Sequence, residues 1–132
     1  VAHGQNTGLE YAERFSNKNE SHQSSLGFYV TGETYIGSHG LSLKLDGMEA
    51  GINDNARKRA IVIHGADYVS QSFISNNNRL GRSFGCPAIP VKQTKEIIQT
   101  IKNKSCLFIY HPSNEYLQKS KLVMKSFKQE VI

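Results

Sequence analysis

The chain has 132 residues, 38% of them hydrophobic and 20% charged, with 11 Gly and 3 Pro, which excludes collagen-like, low-complexity and intrinsically disordered classes. That length supports one compact domain able to bury roughly two-thirds of its unfolded surface without disulfide or metal staples. The net charge of +5 lies in one third of the chain: 8 basic and 8 acidic residues balance through Val91, and 8 Lys face 3 acidic residues from Lys92 to Ile132. A lysine face favours a polyanion such as nucleic acid, anionic lipid or an acidic wall polymer, although a solvated surface accounts for it equally well. With no arginine cluster, nucleic-acid motif or interleaved aromatics, nucleic acid is not an expected partner. No apolar run approaches the ~18 to 20 residues of an integral membrane span. No signal segment is visible, and the opening Val1-Ala2-His3-Gly4 reads as already trimmed.

Through Ala50 the chain is rich in Gly, Ser, Thr and Asn, with β-prone runs at 27–31 and 41–45. Leu41-Ser42-Leu43-Lys44-Leu45 alternates apolar and polar residues, as a half-buried strand does. Gly32-Glu33 and Ser38-His39-Gly40 supply the expected turns. Ala60-Ile61-Val62-Ile63-His64 is a continuous apolar run read as a buried central strand, with His64 at its C-terminal end before Gly65. Ser75 to Leu80 reads as a polar loop, and the glycines and proline of Gly81 to Ala88 forbid a regular helix. Ile97, Ile98 and Ile101 share one face of a helix within Val91 to Lys102. Ser105 to Tyr110 is a short β-prone run, and from Asn114 the tail reads as either a helix or a basic arm. Strands dominate, so the expected class is mostly β with one or two helices. The organisation is a single domain over 1–132 with a basic C-terminal tail at 111–132.

Cys86 follows Gly and precedes Pro in a glycine-punctuated segment, where most Gly-Cys-Pro triples are structural turns. A nucleophilic thiol needs thiolate character from a neighbouring base or from peptide dipoles. Gly85 lets backbone amides near Cys86 approach a developing oxyanion. His64 on its strand end faces a cleft, and imidazole is the natural base for a thiol near neutral pH. The competing reading is a core histidine bonded to backbone. No carboxylate completes a triad, although Asp67 is three residues on, and a backbone carbonyl orients a ring equally well. Cys106 reads as a small core residue, and one disulfide between the two cysteines stays open. His3, His22, His39, His64 and His111 lack metal-ligand spacing, so no metal is expected. His3 and His39 read as loop residues lining the same cleft, and Tyr35 and Tyr68 fit a cleft wall or a core.

Ile63-His64-Gly65 followed by Ser83-Phe84-Gly85-Cys86 resembles the signature of YkuD-like L,D-transpeptidases, a His-Gly strand end and then Ser/Thr-His-Gly-Cys. Phe15-Ser16-Asn17, Ser24-Ser25-Leu26-Gly27, Thr31-Gly32-Glu33-Thr34-Tyr35, His39-Gly40 and Leu80-Gly81-Arg82-Ser83 extend it. Together they resemble the murein L,D-transpeptidase catalytic domain family from Val1 to about Tyr110. The resemblance implies a curved sheet or β-sandwich with a helix packed against it, and an earlier strand ahead of Val1. It implies Cys86 as nucleophile, His64 as general base and the Gly65 carbonyl as the group orienting the imidazole. Ser83 and Gly85 would shape the nucleophile loop, the Gly85 and Cys86 amides would serve an oxyanion, and Arg82 would meet a substrate carboxylate. His39 and Tyr68 join Arg82, Ser83 and Gly85 as the implied substrate-binding set.

The implied reaction forms a thioester on Cys86, releases D-alanine and cross-links diaminopimelate residues of peptidoglycan stem peptides, with no ATP, metal or other cofactor. It implies a periplasmic or cell-wall location and capture by carbapenems. Two rivals stand beside it. One is an L,D-carboxypeptidase or hydrolase of peptidoglycan-linked protein, with water as acceptor; the other is an inactive wall-binding module. The sequence departs from the family pattern twice: Phe84 stands where His is usual, and Pro87-Ala88 where a hydrophobic residue and Arg or Asn are common.

Overall fold

The computed structural model describes residues 1–124. Strands β1 (Gly27–Gly37) and β2 (Gly40–Gly47) form an antiparallel hairpin that turns at Ser38-His39. Gly32-Glu33 is not a turn. Strand β1 runs through it, and these two residues oppose Lys44 alone between the pairs Thr31↔Leu45 and Thr34↔Leu43, a β-bulge that absorbs one extra residue.

Strand β3 (Val62–Ala66) pairs antiparallel with β2, β4 (Ala88–Pro90) pairs parallel with β3, and β5 (Cys106–Ile109) pairs antiparallel with β1. The result is one five-stranded mixed sheet in the order β4-β3-β2-β1-β5, and the fold is mostly β. Strand β3 starts later than the apolar run because Ala60 turns at φ +54. It continues through Gly65 and Ala66 because they pair with Ile89 and Pro90. His64 therefore sits in mid-strand rather than at a strand end, between Ser42 and Ala88.

Helix α1 (Gln71–Asn77) takes in Ser75 to Asn77, the first half of the stretch expected to be a polar loop. Ser70 Oγ accepts from Phe73 N and Asn78 closes the helix in the left-handed region at φ +59; these caps outweigh the weak helix propensity of the asparagines. Helix α2 (Val91–Ile101) lays Ile97, Ile98 and Ile101 on a core of Tyr29, Leu43, Leu45, Ile61, Ile63 and Ile89. Gly65 allows that approach, since a Cβ there would collide with Thr94 Oγ1.

Cys106 is exposed rather than a core residue. Strand β5 is a sheet edge, and its alternation turns Cys106 and Phe108 outward while Leu107 and Ile109 pack inward. The tail starts as helix α3 (Asn114–Lys119), followed by a further helical turn over 121–124. The rest of the basic tail, 125–132, lies outside the described residues.

Candidate active site

Residues 78–87 join α1 to β4 without a helix or a named strand and carry the Ser-Phe-Gly-Cys run. Ser83 folds the loop on itself: its Oγ donates to Cys86 O at 2.6 Å and accepts from Gly85 N at 3.1 Å. The Gly85 amide is thus engaged inside the loop, which corrects its expected part as an oxyanion donor. Glycine is needed there for its backbone, at φ +122, and because a Cβ would lie 2.8 Å from Gln23 O. The N-terminal segment clamps the loop from outside, through Gln5 N to Ser83 O (2.8 Å) and Ser83 N to His3 O (3.0 Å). Ser24 Oγ accepts from Gly4 N (3.1 Å) and donates to Gly85 O (3.0 Å), tying all three segments together.

The half-buried Cys86 holds its sulfur at the edge of β3, where Sγ accepts from Val62 N at 3.4 Å and lies 3.6 Å from Ala60 O. Val62 precedes His64 by two residues, about 6.6 Å of strand rise. His64 is 2% exposed, and its Nδ1 lies 3.0 Å from Gly65 O. A carbonyl only accepts, so Nδ1 carries the proton and Nε2 is left basic. Burial pulls the imidazole below its ordinary pKa, against the Gly65 bond and with help from His39. Burial pushes the Cys86 thiol up, while the Val62 amide and the Arg59 charge pull it back. At neutral pH the resting pair is therefore thiol and neutral imidazole, the state in which a base can still accept a proton. Asp67 is exposed and gives His64 no hydrogen bond.

His39, expected in the cleft, stacks its ring on His64 with centroids 4.2 Å apart and planes 18° from parallel. Tyr68 is half-buried, its phenol pushed up by burial and then by the Cys86 charge. Arg82 donates Nε to Gly8 O at 2.6 Å, and its Nη2 is buried with no hydrogen-bond partner among the described residues. Arg82 is thus anchored to the N-terminal segment, with one guanidinium nitrogen enclosed and unpaired. Phe84 is 69% exposed and packs against His22, centroids 4.6 Å apart.

Two contributors, Ser24 and Arg59, carry no chemical role that the sequence alone reveals. In sequence Arg59 marks only the start of an apolar run; an arginine at the mouth of a buried strand that also carries a histidine is the available signal. Among the described residues no three His, Cys, Asp or Glu side chains converge as a metal site, and no helix is long and apolar enough to cross a membrane. A cavity of about 690 Å³ between residues 13–18, Gly51-Ile52 and α3 includes neither Cys86 nor His64.

A mostly-β sheet domain with a cysteine on a glycine loop against the strand of a carbonyl-oriented histidine forms a recognisable class. The chain matches the family model of the L,D-transpeptidase catalytic domain over residues 1–110, and it belongs to that family. Comparison with curated proteins and with solved structures gave no match. Membership supports a peptidoglycan transpeptidase-type function.

Proposed function

We propose that this chain is a cysteine-dependent acyl transferase acting on peptidoglycan stem peptides. As Cys86 Sγ attacks the carbonyl at the L-centre of diaminopimelate in a tetrapeptide stem, His64 Nε2 takes the thiol proton. The C–N bond to D-alanine breaks, the imidazolium returns the proton to the leaving amine, and a thioester remains on Cys86. The side-chain amine of a neighbouring stem then attacks the thioester. Its proton passes through His64 to the departing sulfur, and a new amide joins two diaminopimelates. One amide is broken and one is made, so the exchange requires no ATP.

The observation that carries this reading is the pairing on β3: sulfur on the Val62 amide, and two residues on an imidazole whose Nδ1 is held by Gly65 O. The proposed proton transfer requires the sulfur to leave this resting seat on the Val62 amide for the imidazole two residues further along β3. With the Gly85 amide engaged, the Cys86 amide, which makes no hydrogen bond among the described residues, is the backbone donor for the oxyanion. In this reading Arg82, whose buried Nη2 has no partner among the described residues, pairs with a stem carboxylate, and Tyr68 and His39 flank the stem. In this reading 1–132 is one catalytic domain acting in the periplasm or cell wall.

Incubation with a carbapenem tests it. Intact mass should rise by one carbapenem, and Cys86→Ser should gain nothing; an unmodified parent protein or a modified Cys86→Ser variant overturns the proposal. With purified disaccharide-tetrapeptide the expected product is a cross-linked dimer, whereas tripeptide alone assigns water as the acceptor.

A further inference from the structure

Arg57 and Arg59 lie two residues apart ahead of β3 and meet opposite fates. Arg57 is neutralised by Asp46 and Glu33 at 2.5 and 2.8 Å. Arg59 has no carboxylate partner among the described residues. Its Nη1 donates to Ser16 O (2.8 Å) and Ser25 Oγ (2.8 Å), and its Nη2 to Ser21 Oγ (3.0 Å) and Gln23 O (2.6 Å). Four neutral acceptors replace the water this half-buried cation has lost, and none cancels its charge.

The guanidinium lies under the nucleophile loop. A Cβ on Gly85 would be 3.3 Å from Arg59 Nη2, and the next residue, Ala60, supplies the carbonyl that faces Cys86 Sγ. The titratable groups around the sulfur come from three positions: Arg59 before β3, His64 on it and Tyr68 after it. At neutral pH His64 and Tyr68 are uncharged, since burial disfavours their ionised forms. Arg59 is thus the charged member of the three, acting through a partly buried path that salt screens poorly.

We infer that Arg59 is a positioning residue of the reaction: its unneutralised guanidinium, seated under Gly85 by four neutral acceptors, stabilises negative charge on the Cys86 sulfur. The inference rests on Cys86 being the nucleophile. In keeping with it, the Arg59 charge opposes the upward push that burial gives the thiol.

The test is the pH profile of Cys86 alkylation by iodoacetamide, in a Cys106→Ser background that leaves one thiol. Arg59→Gln removes the charge. Ser21→Asp sets a carboxylate against the guanidinium and cancels the charge without moving it. Both profiles should move to higher pH, and the rate near pH 7 should fall roughly tenfold for every tenfold weakening of the thiol as an acid. Arg59→Lys keeps a charge without the four bonds, and should melt lower while its profile stays close to the parent's. A folded Ser21→Asp protein whose profile superposes on the parent's overturns the inference, and it decides the matter even if Arg59→Gln does not fold. A parent whose Cys86 resists alkylation at every pH sinks the nucleophile reading itself, a separate result.

Discussion

His39 sits at the tip of the β1–β2 hairpin, and its ring covers His64 from the solvent side. Two effects follow from this stack: it keeps water off the buried imidazole, and a charge on either ring disfavours a charge on the other. His39→Ala removes both, so the His64 pKa should climb back toward its ordinary value. The acid limb of the pH–rate profile should then move to higher pH. His39→Phe retains the cover and drops the charge, and should shift the limb less; equal limbs in all three proteins would refute the cover. The sign for stability follows from the same shift. Folding lowers the His64 pKa, so its contribution is complete above the unfolded value near 6.5 and is lost as the pH falls below it. Gly85 permits an equally local prediction. With φ at +122 and Gln23 O in the way of any Cβ, Gly85→Ala should cost about 1–3 kcal/mol, read by thermal melting. It should also abolish carbapenem adduct formation, because relief of the clash moves the neighbouring sulfur.

Among the elements, those announced by a period were legible and those made by pairing or caps were not. The isoleucine face of α2 appears in the structure as the sequence implies, and 41–45 forms the expected strand, although Ser42 on its polar side is buried beside His64 rather than solvated. The Gly32-Glu33 bulge looks like a turn in sequence because only the partner strand reveals that pairing resumes at Thr34. Strand parity misled at Cys106, since an apolar run does not say which of its residues face the core. Helix α3 is fixed by a residue far from it. Glu49 is 4% exposed and accepts from Phe28 N (2.9 Å), from Tyr116 Oη (2.8 Å) and from Ser120 Oγ. Nothing local in 114–120 announces that seat. Glu49→Ala strands these donors and should cost about 2–4 kcal/mol by denaturant unfolding, since each buried donor left unpaired costs about 1–3 kcal/mol. Trypsin should then cut at Lys119 well before the sheet is digested, whereas Glu49→Gln, which keeps an acceptor, should be protected. Unchanged cleavage in Glu49→Ala would show that α3 is held by other contacts.

On the scale of the molecule, the core and the candidate site share one scaffold, the irregular segment 16–25. Tyr29, fully buried in the core, donates its hydroxyl to Ser25 O at 2.8 Å. Ser25 Oγ receives Arg59, Arg59 also holds Gln23 O, and Gln23 O lies against Gly85. Cys86 and His64 were legible in sequence as candidates because their types and glycine neighbours carry meaning. This chain of support was not, because it is made of serines and carbonyls that acquire roles only when distant segments meet. It also ties the site to the ionisation of the core. Burial pushes the Tyr29 phenol up to about 12, against the Ser25 bond, and pushes Tyr116 up to about 12, with its Ser120 bond opposing and its Glu49 bond adding to the rise. The folded state therefore holds these protons more tightly than the unfolded chain. Their contribution is complete below pH 10, the unfolded value, and is lost as the pH rises toward 12. Above pH 10 these phenols should add a fall in stability, read from the denaturation midpoint, by at most about 2–3 kcal/mol for Tyr29, beyond whatever the raised Cys86 thiol contributes from about pH 9. Carbapenem capture should disappear over the same interval as the scaffold lets go of Arg59. Tyr29→Phe should start less stable by the lost hydrogen bond yet decline less steeply above pH 10, while Tyr11→Phe, at an exposed tyrosine, should track the parent. A Tyr29→Phe protein with the parent's full alkaline slope would assign that loss to groups outside the core.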